Sequence, residues 1–145
     1  MTANWLTHLV PVGILFAPRS FANADSSELS KVCNGAGTEG LNVPDKFWGL
    51  SIRDAADIHD WMYSRSQTIE DKWISDFVFL MNMLLTIVWY DHNSAEMFWE
   101  RRKFWLRLKL ACVYYVAVNR WGLCEHVLAK KPLWAKVVDW IRRIF

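Results

Sequence analysis

A histidine and an aspartate stand side by side at His59 and Asp60, and a tyrosine follows at Tyr63. In a helix, His59 and Tyr63 share one face, while the Asp60 side chain is turned by about 100° from His59. An imidazole can act as general base on a water, and a neighbouring carboxylate can hold a hard cation that polarises the bond under attack. Such a pair predicts metal-assisted hydrolysis or, as in many helices, only a solvated surface.

A glycine-rich segment, CNGAG at residues 33–37, precedes this helix. Alternating glycines allow a tight turn that aims successive carbonyl oxygens inward. Calcium is bound by carbonyl and carboxylate oxygens, so the loop and the helix complement each other. Their combination favours a calcium site over a solvated helix surface.

Loop and helix together resemble the phospholipase A2 superfamily, which pairs a calcium loop x-C-G-x-G with a helix motif C-C-x-x-H-D-x-C-Y. Residues 33–37 align with that loop, and AADIHDWMY at residues 55–63 aligns with the helix motif. The sequence VPD at residues 43–45 is most similar to the bacterial and viral members. The resemblance covers residues 33–90.

The resemblance implies a role for each aligned residue. His59 would take a proton from the attacking water, and Asp60 would ligate Ca²⁺ through its carboxylate. The backbone carbonyls of Cys33, Gly35 and Gly37 would complete the protein ligands. The calcium ion and the Gly35 amide would stabilise the oxyanion that develops on the ester carbonyl.

The superfamily also uses a second aspartate, on the antiparallel partner helix, to accept a hydrogen bond from the histidine ring. Asp76 is the candidate, because it lies in the apolar run ISDFVFLMNML. A buried acid needs hydrogen-bond partners, and His59 and the Tyr63 hydroxyl would supply them. The alternative is an exposed acid near a helix start, where the helix dipole favours it.

The chain departs from the superfamily at its cysteines. The loop cysteine and the three helix-motif cysteines are replaced by small or apolar residues, which removes possible bridges without removing a catalytic group. The resemblance therefore implies a less rigid loop and weaker calcium binding. The replacements are Ala36, Ala55, Ala56 and Met62, and the remaining cysteines, predicted to be buried small hydrophobes, are Cys33, Cys112 and Cys124.

Apolar periodicity and capping signals predict an all-α fold built on two central helices, and the resemblance implies that these two helices are antiparallel and carry the His/Asp site. The glycine-rich calcium loop precedes these helices, and amphipathic C-terminal helices flank them. Helix starts are predicted at Asp25 or Ser26, and at the capping pairs Ser51/Asp54, Thr68/Asp71 and Asn93/Glu96. The predicted helices are 25–32, 51–64, 68–91 and 93–121, the last closing at Gly122, with a final helix from Pro132.

Residues 1–24 are predicted to be an irregular or loosely helical leader before a single domain at residues 25–145. An apolar run at residues 6–16, followed by Ala22-Asn23-Ala24, is faintly similar to a secretion signal. It lacks a preceding positive charge and is interrupted by Pro11 and Gly13. The apolar run at residues 77–90 is ~14 residues, shorter than the ~20 of a membrane-spanning helix, and predicts a core helix.

Composition and charge bear on partners. Hydrophobic residues make up 53% of the chain and include ten tryptophans, which predicts an exposed apolar patch or a Trp-rich core. Residues 1–100 carry net charge −7 and residues 101–145 carry +9. A basic, Trp-bearing C-terminal region suits a peripheral membrane surface, with a solvated face or nucleic-acid binding as alternatives. Tryptophans and cations interleave in and just before this region, among them Trp99, Arg101, Arg102, Lys103, Trp105, Arg107, Trp121, Trp134, Lys136, Trp140, Arg142 and Arg143.

Taken together, the patterns predict calcium-dependent hydrolysis of the sn-2 acyl ester of glycerophospholipids at a membrane interface. A non-catalytic membrane-binding protein on the same scaffold is one alternative, and a helical module that binds nucleic acid or protein through its basic tail is another. No nucleic-acid partner is expected under the first prediction. Three cysteines leave the compartment open.

Overall fold

A computed structural model describes residues 8–33, 37–38, 41–42, 44–93 and 99–127. The described part of the chain is mostly helical, with three short antiparallel hairpins. Its elements, in chain order, are β1 Leu9–Val12, β2 Leu15–Pro18, α1 Arg19–Ala22, α2 Ser26–Val32, β3 Gly37–Thr38, β4 Leu41–Asn42, β5 Lys46–Phe47, β6 Leu50–Ser51, α3 Arg53–Tyr63, α4 Ile69–Asn93 and α5 Trp99–Val127.

Helices α3, α4 and α5 form the body of the molecule. Helices α3 and α4 run antiparallel, since Ser66, just after α3, contacts Ser75 while His59 contacts Phe79 further along α4. Helix α5 packs against α4, and Asn119 near its end accepts a hydrogen bond from Lys72 near the start of α4. The main core lies between these helices and β5–β6; it contains Phe47, Leu50, Ile52, Ala55, Ala56, Phe79, Met83, Ile87, Leu110, Ala111 and Tyr114.

The hairpin β1–β2 corrects the prediction of an irregular or loosely helical leader. Leu9 pairs with Pro18 and Val12 with Leu15. Gly13 opens the two-residue turn at φ +61°, a value that glycine adopts without strain. Residues 1–7 lie outside the described part. The expectation of a purely helical fold is therefore wrong at this hairpin, although the mostly helical class is confirmed.

A single side chain on α4 anchors this hairpin. The buried Asn82 side chain accepts a hydrogen bond from the Phe16 backbone N–H at 2.9 Å and donates one to the Phe16 backbone carbonyl at 2.8 Å. It thus satisfies both backbone groups of one strand residue. Leu15 and Ala17 pack in a second apolar cluster with Ile58, Met62 and Val78.

The hairpin β5–β6 leads directly into α3. Its turn residues Trp48 and Gly49 both have positive φ, +47° and +86°, as a tight hairpin turn requires. The buried Arg107 guanidinium donates to the carbonyls of Phe47 (3.2 Å) and Trp48 (2.9 Å) and stacks 4.7 Å from the Tyr90 ring centroid. Arg107 is therefore a structural residue, and its predicted place on an interfacial surface is wrong.

Two of the predicted helix caps are confirmed. The Asp25 carboxylate accepts a hydrogen bond from the Glu28 amide at the start of α2. Thr68 and Asp71 each accept the other's backbone N–H at 3.1 Å, which is the reciprocal capping box.

Other predicted boundaries differ. Helix α3 begins at Arg53, and its N-cap residue is Ile52, which provides no side-chain cap. The Ser51 hydroxyl accepts a 3.3 Å hydrogen bond from the Arg53 backbone N–H. Helix α5 continues past Gly122 to Val127 because a single glycine costs a helix only ~1 kcal/mol. The predicted helix start at Asn93 is wrong, because Asn93 is the last residue of α4 and α5 begins at Trp99. Glu96 and the predicted helix from Pro132 fall outside the described residues.

The surplus of large apolar side chains is divided between the core and the surface. Trp61 is buried, donates its indole N–H to Ser20 and packs edge-on against Phe21. Several side chains of α4 are instead exposed, among them Trp73, Phe77, Met81, Val88 and Trp89. The exposed apolar surface predicted from the composition is therefore present, whereas Trp61 is the one buried tryptophan among those whose side chains are described, so the prediction of a Trp-rich core is not met there.

Helix α4 has 25 residues, and so extends well beyond the apolar run at residues 77–90 and is as long as a membrane-spanning helix. Within the described residues it is the one helix long and apolar enough, by length and composition, to cross a bilayer. Core helices of soluble proteins meet the same criterion. Its buried side carries Asp71, Lys72, Ser75, Asp76 and Asn82, all packed or hydrogen-bonded within the protein.

Candidate active site

His59 on α3 and Asp76 on α4 meet where the two helices cross. The His59 Nε2 atom lies 3.0 Å from Asp76 Oδ1. The Asp76 side chain is completely buried, while the His59 side chain remains 11% exposed. The imidazole lies 4.8 Å from the Phe79 ring and 5.8 Å from the Tyr63 ring, measured between centroids. Because Nε2 contacts the carboxylate, Nδ1 is the ring nitrogen that could accept a proton from a water.

The second oxygen of Asp76 is held by a residue that the sequence analysis missed. Lys72 lies one turn before Asp76 on α4, and its Nζ contacts Asp76 Oδ2. The ammonium group also donates to the carbonyls of Val118 (3.2 Å) and Asn119 (3.1 Å) on α5. These three acceptors match the three protons of a lysine ammonium.

Charge compensation explains why two charged groups are stable in this core. Lys72 and Asp76 are each fully buried, and separating either from the other would leave an uncompensated charge in the interior. The i, i+4 spacing of a lysine and an aspartate inside an apolar run was the signal that could have revealed the pair. The contact of Asp76 with His59 was expected, whereas its contact with Lys72 was not.

The predicted calcium ligands are only partly within the described residues. Asp60 lies on α3, half-buried, one residue after His59. Cys33 ends α2, and its thiol donates to the Asp57 carbonyl at 3.2 Å, which ties the start of the glycine loop to α3. Gly35 lies outside the described residues, and Gly37 is described only as part of β3.

The thiol of Cys33 stays protonated at neutral pH. Burial, reinforced by the negative charges of Asp57 and Asp60, raises the pKa of Cys33 to about 11. A protonated thiol is a poor metal ligand, so a cation here would meet main-chain and carboxylate oxygens, the donors that calcium prefers. Within the described part of the chain, Cys33 and Asp60 included, no three His, Cys, Asp or Glu side chains converge as a metal site.

The positions where the superfamily has helix cysteines are packed tightly here. Ala55, Ala56 and Met62 are all buried, and the two alanines lie in the main core. The packing of α3 therefore needs no disulfide bond. Among the remaining cysteines, Cys112 is exposed, which contradicts its predicted burial, and Cys33 is half-buried.

Tyr114 on α5 supports the segment that leads into α3. Its hydroxyl donates to the Pro44 carbonyl at 2.7 Å, and its ring packs edge-on 4.9 Å from Phe47. Burial, with a smaller effect of the Asp45 charge, raises the pKa of Tyr114. Tyr114 thus packs and holds the backbone, and its hydrogen bond does not go to His59 or Asp76.

A groove of about 580 Å³ opens on another side of α3. The turn at Gly13, the turn at Gly49, Ile58 and Trp89 are among the residues that line it. Neither His59 nor Asp76 lines it. The groove and the His59–Asp76 pair are therefore separate features of the molecule.

Comparison of the chain with protein-family models, with curated proteins and with solved structures gives no match.

Proposed function

We propose that the protein is a phospholipase A2-like hydrolase that cleaves the sn-2 acyl ester of glycerophospholipids in the presence of calcium. The observation that supports it most is the 3.0 Å contact between His59 Nε2 and Asp76 Oδ1, made from two antiparallel helices. The likeness of residues 33–37 and 55–63 to the superfamily's loop and helix motifs supports the same assignment.

In this proposal His59 is the general base. Asp76 holds the ring by Nε2 and stabilises the imidazolium that forms when Nδ1 takes a proton from water. The attacking oxygen then reaches the ester carbonyl, and the same proton passes to the departing alkoxide. Phe79 and Tyr63 flank the ring and restrict its rotation, and the Tyr63 hydroxyl would bind the same catalytic network.

Lys72 acts in this proposal as a positioning residue. By occupying Asp76 Oδ2, it leaves Oδ1 aimed at His59 and fixes the carboxylate between two partners. Its contacts with the Val118 and Asn119 carbonyls anchor that arrangement to α5. The pair of α4 residues is therefore held from two sides before any substrate binds, which is the preorganisation that catalysis requires.

Asp60 would hold calcium, together with the main-chain oxygens of Cys33, Gly35 and Gly37. The Asp60 carboxylate is half-buried and close enough to Cys33 for its negative charge to raise the pKa of that thiol, and carboxylate and main-chain oxygens are the donors that suit a hard cation. When bound, calcium supplies positive charge beside the ester oxygen. The absence of a loop disulfide is consistent with weaker binding than in disulfide-bonded relatives.

The test is fatty-acid release by His59→Gln. Replacing the base should lower calcium-dependent release by at least about a hundredfold, because general-base catalysis contributes on that order. His92→Gln is the matched control, since His92 is exposed in the last turn of α4. Undiminished release by His59→Gln, with normal release by His92→Gln, would refute the assignment.

The buried Lys72–Asp76 pair also favours a second candidate function, a non-catalytic membrane-binding protein on the same scaffold. A fully compensated ion pair can serve stability alone, without any reaction at His59. Calorimetric calcium titration separates the two candidates. A hydrolase should bind calcium in a way that Asp60→Asn abolishes, and the non-catalytic protein should give no such signal.

A further inference from the structure

The exposed face of α5 combines cations with apolar side chains. Six of its residues recur at intervals of three or four and are all exposed, so they form one stripe along the helix. Trp105 is 63% and Val116 is 56% exposed, values high for side chains of this size. The six residues, hereafter the α5 stripe, are Arg102, Trp105, Lys109, Cys112, Val116 and Arg120.

The charge of this helix has one sign. Residues 101–124 contain six Lys and Arg residues and no Asp or Glu. Burial of Arg107 removes one of these cations from the surface. Arg102, Lys109 and Arg120 remain on the stripe, about one every two to three helical turns, with Trp105 and Val116 between them. A surface that is both cationic and apolar complements a partner that is anionic at its surface and apolar beneath it.

We infer that the α5 stripe is the surface by which the protein binds an anionic phospholipid bilayer. The three cations contact lipid phosphates, Trp105 lies at headgroup depth and Val116 enters the acyl boundary. Binding itself does not depend on hydrolysis, whereas its value in bringing the enzyme to substrate rests on the proposed function.

The same cations would also attract the phosphates of a nucleic acid, but the apolar residues of the stripe favour a membrane. A phosphate backbone offers no apolar phase in which Val116 could be buried, and its exposure would bring no gain there. The opposite, buried face of α5 is held by the core through Leu110, Ala111 and Tyr114. The stripe can therefore be changed without disturbing the packing of the helix.

The first test is sedimentation with vesicles of phosphatidylcholine and phosphatidylserine. The triple variant Arg102→Gln, Lys109→Gln, Arg120→Gln should bind about a hundredfold more weakly, since each cation near such a surface contributes about fivefold. The matched control neutralises three exposed cations on other elements: Arg19→Gln, Lys31→Gln and Lys46→Gln. It changes net charge equally and should bind within about threefold of the parent.

The second test addresses the apolar side chains. Trp105→Ser with Val116→Ser should weaken vesicle binding by about tenfold, the effect of withdrawing two large apolar groups from the interface. The control pair is Trp89→Ser with Val88→Ser on α4, which are 52% and 54% exposed and so similarly placed. It should bind within about twofold of the parent.

The remaining outcomes overturn the inference. Equal losses in a variant and its control would mean that net charge or another face governs binding. Absence of vesicle binding by the parent protein, or salt-dependent duplex DNA binding that the triple variant loses, would assign the stripe to a different partner. A larger loss in the α4 pair than in the α5 pair would place the membrane contact on α4.

A separate pair of measurements distinguishes this inference from the proposed function. The triple variant should still hydrolyse short-chain phospholipid dispersed as monomers, because the His59–Asp76 contact is untouched. His59→Gln should still bind vesicles. Loss of both properties in the triple variant would overturn the inference, whereas intact binding without hydrolysis by the parent protein would refute only the proposed function.

Discussion

Asp76 links the three long helices, directly to α3 and through Lys72 to α5. It lies on α4, contacts His59 of α3, and is linked to α5 through Lys72 and the carbonyls of Val118 and Asn119. A carboxylate with no exposure could not be retained in this core without such partners. The same arrangement therefore serves stability and, in our proposal, catalysis.

Replacing Lys72 alone should be strongly destabilising. Lys72→Met leaves the buried Asp76 carboxylate without its ammonium partner, which should lower the free energy of unfolding by about 3 kcal/mol in urea denaturation. The double variant Lys72→Met, Asp76→Asn removes both charges and should recover part of that loss. Lys46→Met, at an exposed lysine, is the control and should change stability by less than about 0.5 kcal/mol. A Lys72→Met protein as stable as the control would show that the pair contributes nothing to folding.

At this scale the sequence predicted some contacts and missed others. The motif around His59 pointed to Asp76, because a superfamily with this helix motif needs an acid on the partner helix. Lys72 was missed because lysine is rarely buried, so its place in an apolar run was not linked to Asp76. Arg107 was assigned to the surface for the same reason, although its guanidinium binds two backbone carbonyls in the interior.

Among the elements, α3 and α4 were predictable because they carry strong local signals. The reciprocal bonds of Thr68 and Asp71 fix the start of α4 within the chain itself. The hairpin β1–β2 was missed because its residues form a nearly continuous apolar run with little alternation. Pro11 and Gly13 appeared as interruptions of a leader, whereas one lies in a strand of a two-stranded hairpin and the other in its turn.

The attachment of that hairpin to α4 can be tested at Asn82. Asn82→Ala removes both hydrogen bonds to the Phe16 backbone, so the free energy of unfolding should fall by about 2–3 kcal/mol. Asn93→Ala is the matched control on the same helix, because the Asn93 side chain is exposed and donates to the Trp89 carbonyl one turn earlier. It should cost less than about 0.5 kcal/mol. Equal effects of the two substitutions would mean that the hairpin is held by other contacts.

At the scale of the whole molecule, the described residues place several polar and charged side chains in the interior and several large apolar side chains on the surface. The His59–Asp76–Lys72 group lies within the three-helix body, whereas large apolar side chains of α4 and α5 face outward. The sequence predicted the mostly helical class, and it shows directly the charge asymmetry between residues 1–100 and residues 101–145. It could not predict which face of α5 is exposed, since that depends on tertiary packing around Arg107 and Tyr114.

The most direct test of the proposed function is the identity of the product. Phospholipid vesicles whose lipids carry different acyl chains at sn-1 and sn-2 are incubated with the protein, in calcium and in chelator, and the released acids are identified by mass spectrometry. The proposal predicts release of the sn-2 acid with calcium and its loss with chelator. Release of the sn-1 acid, equal release in chelator, or no release in calcium would contradict it.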